Sequence, residues 1–375
     1  MPRHSFRDFA LLLALLGLGV FFTVQVPDFL SARNLSLLMI DFAITATLAV
    51  GMLLVILPGH IDLSAGSGVG LIGGLTAVLV SNHQWPAPWA MFVGLLVAVA
   101  LWFTMGTLIV RERIPAFIIT LGGLLVFKGL FWLTIQSHTV PIVIGGGSNL
   151  FSQLTTYYLP RPMGYALAAV VVAGLAFVHL RSRAARLAHG FSAEDGEADF
   201  LKLFIAAQIV FLFVIVTNQF RGVPLPALIL GAVALGVWVL TQHTPWGRYL
   251  YAIGGNEEAS VISGIPVARV TVGAFTLMGV IVAITGLMQT AYGGASTTTV
   301  GDLMELDAVA ACVIGGTSLK GGRGSVLGVL FGALIMACLI NGMTLMAVKP
   351  EAKFIARGLV LIAAVWMDVR MARGK

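Results

Sequence analysis

The sequence predicts an all-α polytopic membrane protein, a bundle of about ten to twelve transmembrane helices with short re-entrant or broken segments. Three observations carry that reading. Apolar residues fill 58% of the 375 positions and charged residues only 10%, against roughly 25% charged in a soluble domain. Runs such as FALLLALLGLGVFFTVQV and AMFVGLLVAVALWFTMGTLIV reach the roughly 20 residues that a helix needs to cross a bilayer. Neither run alternates apolar with polar residues, so neither reads as a strand of a membrane barrel.

The N-terminal MPRHSFRDF is short and basic and leads into the first apolar run, near 9–27. No small-residue cleavage pattern follows Val26, where Pro27, Asp28 and Phe29 stand instead. The run is therefore expected to stay as a first span with its N-terminus in the cytoplasm. Further apolar stretches lie near 35–57, 65–81, 88–110, 115–136, 163–180, 200–218, 223–242, 268–290, 306–319, 325–347 and 354–369. Those at 65–81 and 306–319 are short and glycine-rich, and are expected to be re-entrant or broken. With twelve crossings, fifteen of the 22 Lys and Arg fall on the cytoplasmic side. Five fall outside (Arg33, Arg161, Arg221, Lys349 and Lys353), and Lys128 and Arg357 lie within spans. An inward excess of this kind orients a membrane protein, and here it places both termini in the cytoplasm.

The chain 1–375 reads as one transmembrane domain. Its hydrophilic insertions are expected to be a cytoplasmic loop at about 181–202 and a second cytoplasmic loop at about 244–267. Cys312 and Cys338 lie in apolar stretches and read as packing residues. The seven histidines are scattered, with no paired metal-ligand spacing, so no metal site is expected. A net charge of +6 fits positively charged cytoplasmic loops better than a nucleic-acid partner.

Two segments carry more local information. Gly324, Gly328 and Gly332 repeat every four residues along one predicted span, which puts bare backbone on one helical face for close packing. A sliding or dimer contact and ordinary helix packing both fit this spacing. Either predicts that Gly328→Leu is far more damaging than Val329→Leu beside it. In GGNEEASVISGIP, Asn256 can cap a helix whose first turn holds Glu257 and Glu258, where the helix dipole favours carboxylates. Ser263 and Gly264 would stop that helix, and Pro266 would open the next segment. A helix of about two turns is unstable alone in water. It needs the membrane surface or a groove in a partner, and the residues alone leave both open.

GGNEEASVISGIPV resembles the cytoplasmic coupling segment of sugar-type ABC transporter permeases, the branch that imports ribose, xylose, galactose and similar monosaccharides. TPWGRYLYAIGG before it is similar too, as are GMLLVILPGHIDLSAGSGVGL, RIPAFIITLGGLLVFKGL and ELDAVAACVIGGTSLKGGRGSVLGVLFGALIMACLINGM. Pro58 and His60 stand where relatives usually carry small residues. Residues about 163–222 look like an extra pair of spans of the kind that xylose-type permeases carry, which turns the expected substrate toward a pentose, xylose in particular. The resemblance implies a homodimer of permeases, a cytoplasmic ABC ATPase subunit, a periplasmic sugar-binding protein and residence in a bacterial inner membrane. It also implies that Gly255, Asn256, Glu257, Glu258, Ala259, Ser263 and Gly264 form the segment that couples to the ATPase. No GxxxxGK[ST] phosphate loop occurs in the sequence, so ATP and magnesium are expected to belong to the partner. GGTSLKGGRGS reads instead as a tight glycine turn.

Charged residues within predicted spans are costly and are therefore candidates for function. Asp41, Asp62, Lys128, Glu305, Asp307 and Arg357 qualify by position. Asp62 is expected to cap a helix from Leu63 onward, Asp307 one from Ala308, and Lys128 and Arg357 to snorkel toward an interface. Asp62, Ser64, Glu305, Asp307 and Asn341 are the candidates for the translocation path or for helix breaks. An ion-coupled secondary transporter would need inverted repeats and a buried coupling carboxylate, and no convincing repeat stands out. An intramembrane enzyme would need paired catalytic groups at helical spacing, and none is evident.

Overall fold

The apolar runs fold into helices wherever a hydroxyl, proline or glycine gives them an end. The computed structural model describes residues 3–143, 145–188 and 196–373. The first helices are α1 (Arg3–Gln25), α2 (Ala32–Ile56), α3 (Ala65–Ser81), α4 (Ala87–Glu112), α5 (Ala116–Ile135) and the short α6 (Leu150–Thr156). Next come α7 (Arg161–Ala188), α8 (Gly196–Asn218), α9 (Leu225–His243), α10 (Pro245–Gly255) and α11 (Glu257–Ile262). The last are α12 (Val267–Gly293), α13 (Met304–Ile314), α14 (Val326–Leu345) and α15 (Pro350–Arg373). Eight of these are long and apolar enough to cross a membrane, and α3 and Leu11–Gln25 of α1 are shorter apolar helices. The protein is an all-α, multi-pass membrane protein.

Helix ends follow side-chain chemistry. Ser31 accepts the N–H of Asn34 at the start of α2, and Ser325 accepts that of Gly328 at the start of α14, the usual service of a hydroxyl to a free helical amide. Pro115 opens α5, where its missing N–H costs nothing. The core runs along α2 and α12, which the other helices wrap. By contrast α7 and α8 pack mostly on each other around Ala168 and Val214, and present apolar flanks to lipid.

Contacts between loops support the threading. Four two-residue strands, β1 (Val140–Pro141), β2 (Tyr158–Leu159), β3 (Val223–Pro224) and β4 (Ala295–Ser296), form antiparallel pairs β1–β4 and β2–β3. Each pair joins connections that twelve crossings place on the outer side. Conversely, the N–H of Gly322 donates to the Leu57 carbonyl at 2.9 Å, joining two connections placed inside. Three expectations change. The stretch expected as a loop at 181–202 is helical up to Ala188 and from Gly196 onward, and only 189–195 falls outside the described residues. The segment at 65–81 is one continuous helix, with the break lying before it at 57–64. The segment at 306–319 contributes only the 11 residues of α13, roughly 16 Å of helix, about half a bilayer.

Glycine in α3 serves close approach. Cβ atoms added at Gly68 and Gly74 would strike the rings of Trp102 and Phe131, and one at Gly73 would strike the Thr290 hydroxyl. Stripped of side chains, α3 lets α4, α5 and α12 close around it without a hydrophobic effect to press them together. The same device joins α13 to α14. A Cβ at Gly332 would collide with the Ala311 carbonyl and one at Gly328 with that of Gly315, so the glycine face packs within this chain. Val329, expected on a tolerant face, is fully buried, because α13 and α2 flank α14 on two sides. The tolerant neighbour is Leu327, 63% exposed. Gly332→Leu is expected to cost at least ~3 kcal/mol and abolish recovery of folded protein, while Leu327→Met changes thermal stability in detergent little. Equal melting temperatures for the two variants would contradict the packing.

Candidate functional site

On the side assigned to the cytoplasm, α9 gives way to α10 at Thr244, whose side chain accepts the N–H of Gly247 at 3.1 Å. Asn256 separates α10 from α11. Its backbone is extended (φ −162°, ψ 106°) and its Oδ1 accepts the N–H of Ala259 at 2.9 Å. Glu257 and Glu258 occupy the first turn of α11, where the exposed amide dipoles favour negative charge. The Ser263 hydroxyl donates back to the Ala259 carbonyl at 2.8 Å. Gly264 then turns the chain at φ +79°, a conformation that a side chain would strain. Of the six residues of α11 only Ser260 is buried, and Val261 and Ile262 face outward, Ile262 at 88% exposure.

The root of this unit is bare backbone. Leu250 and Ile253 bury one face of α10, and Gly254 then sits where a Cβ would collide with the Leu57 carbonyl and the Gly322 amide. The Tyr251 hydroxyl donates to the Gly324 carbonyl at 3.0 Å and accepts from Gln242 at 2.9 Å. The end of α10 therefore touches both the first residue of the 57–64 break and the turn that opens α14. Beside it lies a cavity of ≈ 1010 Å³ bordered by His60, Arg113, Glu257, Val261 and Arg269. Burial lowers the His60 pKa from its ordinary value, and the Glu257 carboxylate pulls it partly back.

Deeper in, the break holds a closed polar knot. Asp62 is fully buried. Its Oδ1 accepts the N–H of Ser64 at 2.8 Å and the Ser64 hydroxyl at 2.6 Å, and its Oδ2 accepts the Trp102 indole N–H at 2.6 Å. Thr120 on α5 donates to the Ile61 carbonyl at 3.1 Å. Asp62 thus does not cap a helix at Leu63. Ser64 occupies the position before α3, and the carboxylate is committed to Ser64 and Trp102.

The N-terminus of α13 meets that of α3. The Glu305 carboxylate fills the place a Gly66 side chain would take, and Gly301, at φ +85°, rests on the Gly66 carbonyl. Because α13 begins at Met304, Asp307 lies inside its first turn and does not cap a helix at Ala308. It pairs with Arg357 of α15 at 3.6 Å. Neither basic residue expected to snorkel does so, since Lys128 of α5 pairs with Asp302 in the 297–303 loop. Asn341 is tied to Asn34 by reciprocal amide bonds of 3.0 and 3.1 Å, which link α14 to α2. The structure therefore brings Asp62, Ser64, Glu305 and Asp307 to the place where the N-termini of α3 and α13 meet, and leaves Asn341 apart from them.

Residues 34–365 match the family described as Branched-chain amino acid transport system / permease component. The chain belongs to this permease family. The permease is 40% identical over 365 residues to the xylose transport system permease protein XylH of Escherichia coli, covering 97% of this chain and 92% of the relative. It is 38% identical over 367 residues to the protein of the same name in Haemophilus influenzae, covering 97% and 96%. The ribose import permease protein RbsC of Escherichia coli is 30% identical over 357 residues, covering 95% of this chain and 92% of the relative. No solved structure gives a significant match. The resemblance read from the five sequence blocks is thus upheld.

Sequence reasoning missed three participants in the permease. Gly254 was legible only as half of a glycine doublet, with no signal to rank it above Gly255. Trp102 stands in an apolar run, and its buried indole bond depends on Asp62, in a chain break 40 residues earlier. Asp302 sits in a loop whose only sequence signal was a run of threonines.

Proposed function

We propose that this permease is the transmembrane subunit of an ABC importer that carries a monosaccharide, a pentose such as xylose, across a bacterial inner membrane. A separate ATPase subunit supplies ATP and magnesium and receives α11 in a groove on its surface. Two copies of the permease form the membrane unit, a periplasmic sugar-binding protein delivers the sugar, and both termini lie in the cytoplasm. The observation that carries this reading is the outward presentation of Ala259, Val261 and Ile262 on a capped helix too short to stand alone. Its root at Gly254 rests on the connections at Leu57 and Gly322. A push on α11 therefore reaches the break that holds Asp62 and the turn that opens α14. The names of the relatives point to pentose transport.

Ala259→Trp tests the docking. Ala259 is exposed, so the variant should insert and fold normally, yet lose ATPase co-purification and ATP-dependent uptake, because a packed groove cannot take the indole without moving its walls. If α11 merely rested on lipid, the added Trp would be tolerated at the interface. Normal association and normal uptake in this variant would contradict the assignment.

A further inference from the structure

The helix α5 leaves one whole face uncovered: Leu121, Leu125, Val126, Gly129, Leu130 and Leu133 are all exposed. Cβ atoms added at Gly122 and Gly129 would meet nothing within 4 Å, so this face has open space beside it. Lys128 lies on the border of that face, about 18 Å along the helix from its inner end, in the outer part of the membrane. Its ammonium pairs with Asp302 and donates to the Thr298 carbonyl at 2.9 Å. The Trp132 indole N–H donates to the same carbonyl at 3.3 Å, and the Trp132 ring lies 5.6 Å from the ammonium. The Asp302 side chain is 46% exposed and that of Lys128 24%.

A salt bridge that only fastened a loop to a helix in lipid would be sealed from the hydrocarbon, since an exposed carboxylate at that depth is costly. A water-filled passage removes that cost. We propose that the outer half of the α5 face borders the sugar path, with the Lys128–Asp302 pair binding sugar hydroxyls and Trp132 offering a ring face. This rests on the importer reading above. The pair suits a neutral, hydroxyl-rich ligand because its net charge is zero while it holds both donors and acceptors. An ammonium has three donors, and a carboxylate offers more lone-pair positions than one ammonium fills. The Thr298 carbonyl holds the Lys128 and Trp132 side chains in place before any ligand arrives, and an aromatic wall with a few fixed polar groups is the usual make-up of a small-molecule site.

The test uses the whole transporter in proteoliposomes: permease, ATPase and binding protein. Single cysteines are placed at Gly129 and, as a lipid-facing control, at Val170 of α7, which is 69% exposed. The native Cys312 and Cys338 are buried and serve as the silent background. A charged, water-soluble methanethiosulfonate should label Gly129→Cys at least tenfold faster than Val170→Cys. Whichever of xylose, ribose and galactose the vesicles accumulate should slow that labelling at least threefold. Adding Asp302→Asn should remove the sugar protection while leaving the labelling rate unchanged, an outcome that a loop fastener would not give. Labelling of Gly129→Cys as slow as that of Val170→Cys overturns the path. Protection that survives Asp302→Asn overturns the role of the pair. Absence of ATP-driven uptake of all three sugars by the unmodified transporter overturns the importer reading itself, and this inference with it.

Discussion

Replacing Gly254 with alanine is expected to abolish uptake, while the same change at Gly255, one residue on, leaves uptake within about twofold. The contrast is geometric. A methyl group at position 254 would lie inside contact distance of the Leu57 carbonyl and the Gly322 amide, which are backbone atoms and cannot turn aside as a side chain can. A methyl group at 255 meets nothing within 4 Å. Overpacking of this kind typically costs ~1–3 kcal/mol, which spans the usual size of a coupling energy between two sites; losing ~3 kcal/mol of coupling corresponds to roughly a 100-fold effect. The variant should still insert, because insertion depends on the apolar spans, and α11 should still dock, because its exposed face is unchanged. ATP hydrolysis should therefore continue while sugar movement stops. The measurement is uptake beside ATPase activity in the same vesicles. Equal uptake by the two alanine variants would show that the end of α10 does not bear on the membrane helices.

The second large effect is at Asp62. Its side chain accepts the Trp102 indole N–H and serves both the amide and the hydroxyl of Ser64, all within the protein interior. Asp62→Ala strands those donors, at ~1–3 kcal/mol for each buried group left without a partner, and leaves a void in a packed break. The expected result is a loss of more than ~3 kcal/mol in stability in detergent, with little folded protein recovered. Asp62→Asn is more informative. An amide can still accept from Ser64, but its NH2 group then faces the Trp102 N–H, donor against donor. Trp102→Phe removes that conflict, so it should cost less in the Asp62→Asn background than in the unmodified protein. A double-mutant cycle measures this difference. Strictly additive effects would mean that the two side chains do not depend on each other.

Much of this architecture is legible from sequence because lipid imposes simple rules. A run such as residues 88–110 has little choice but to be a helix, and α4 is one. The start of α11 was readable because Asn256, Glu257 and Glu258 act on amides within four residues of themselves. What the sequence concealed depends on distant partners. Asp62 and Asp307 looked like caps because capping is the commonest local use of an aspartate before an apolar run. Trp102 and Arg357, on helices 40 and 50 residues away, claimed them instead. Lys128 looked free to snorkel because nothing local shows that the 297–303 loop folds down beside α5. The glycine repeat predicted close packing but not the partner, and Val329 was misjudged because burial on two sides of α14 leaves no mark in its own periodicity.

The measurement that tests the account most directly is the energy source of transport. Vesicles containing the permease, its ATPase and its binding protein should accumulate xylose or a related pentose only when ATP and magnesium reach the ATPase. Collapsing the proton and sodium gradients should leave that accumulation unchanged. The Ala259→Trp permease in the same vesicles should show no accumulation above background. Pentose uptake by the permease alone, driven by an ion gradient and indifferent to ATP, would contradict the account.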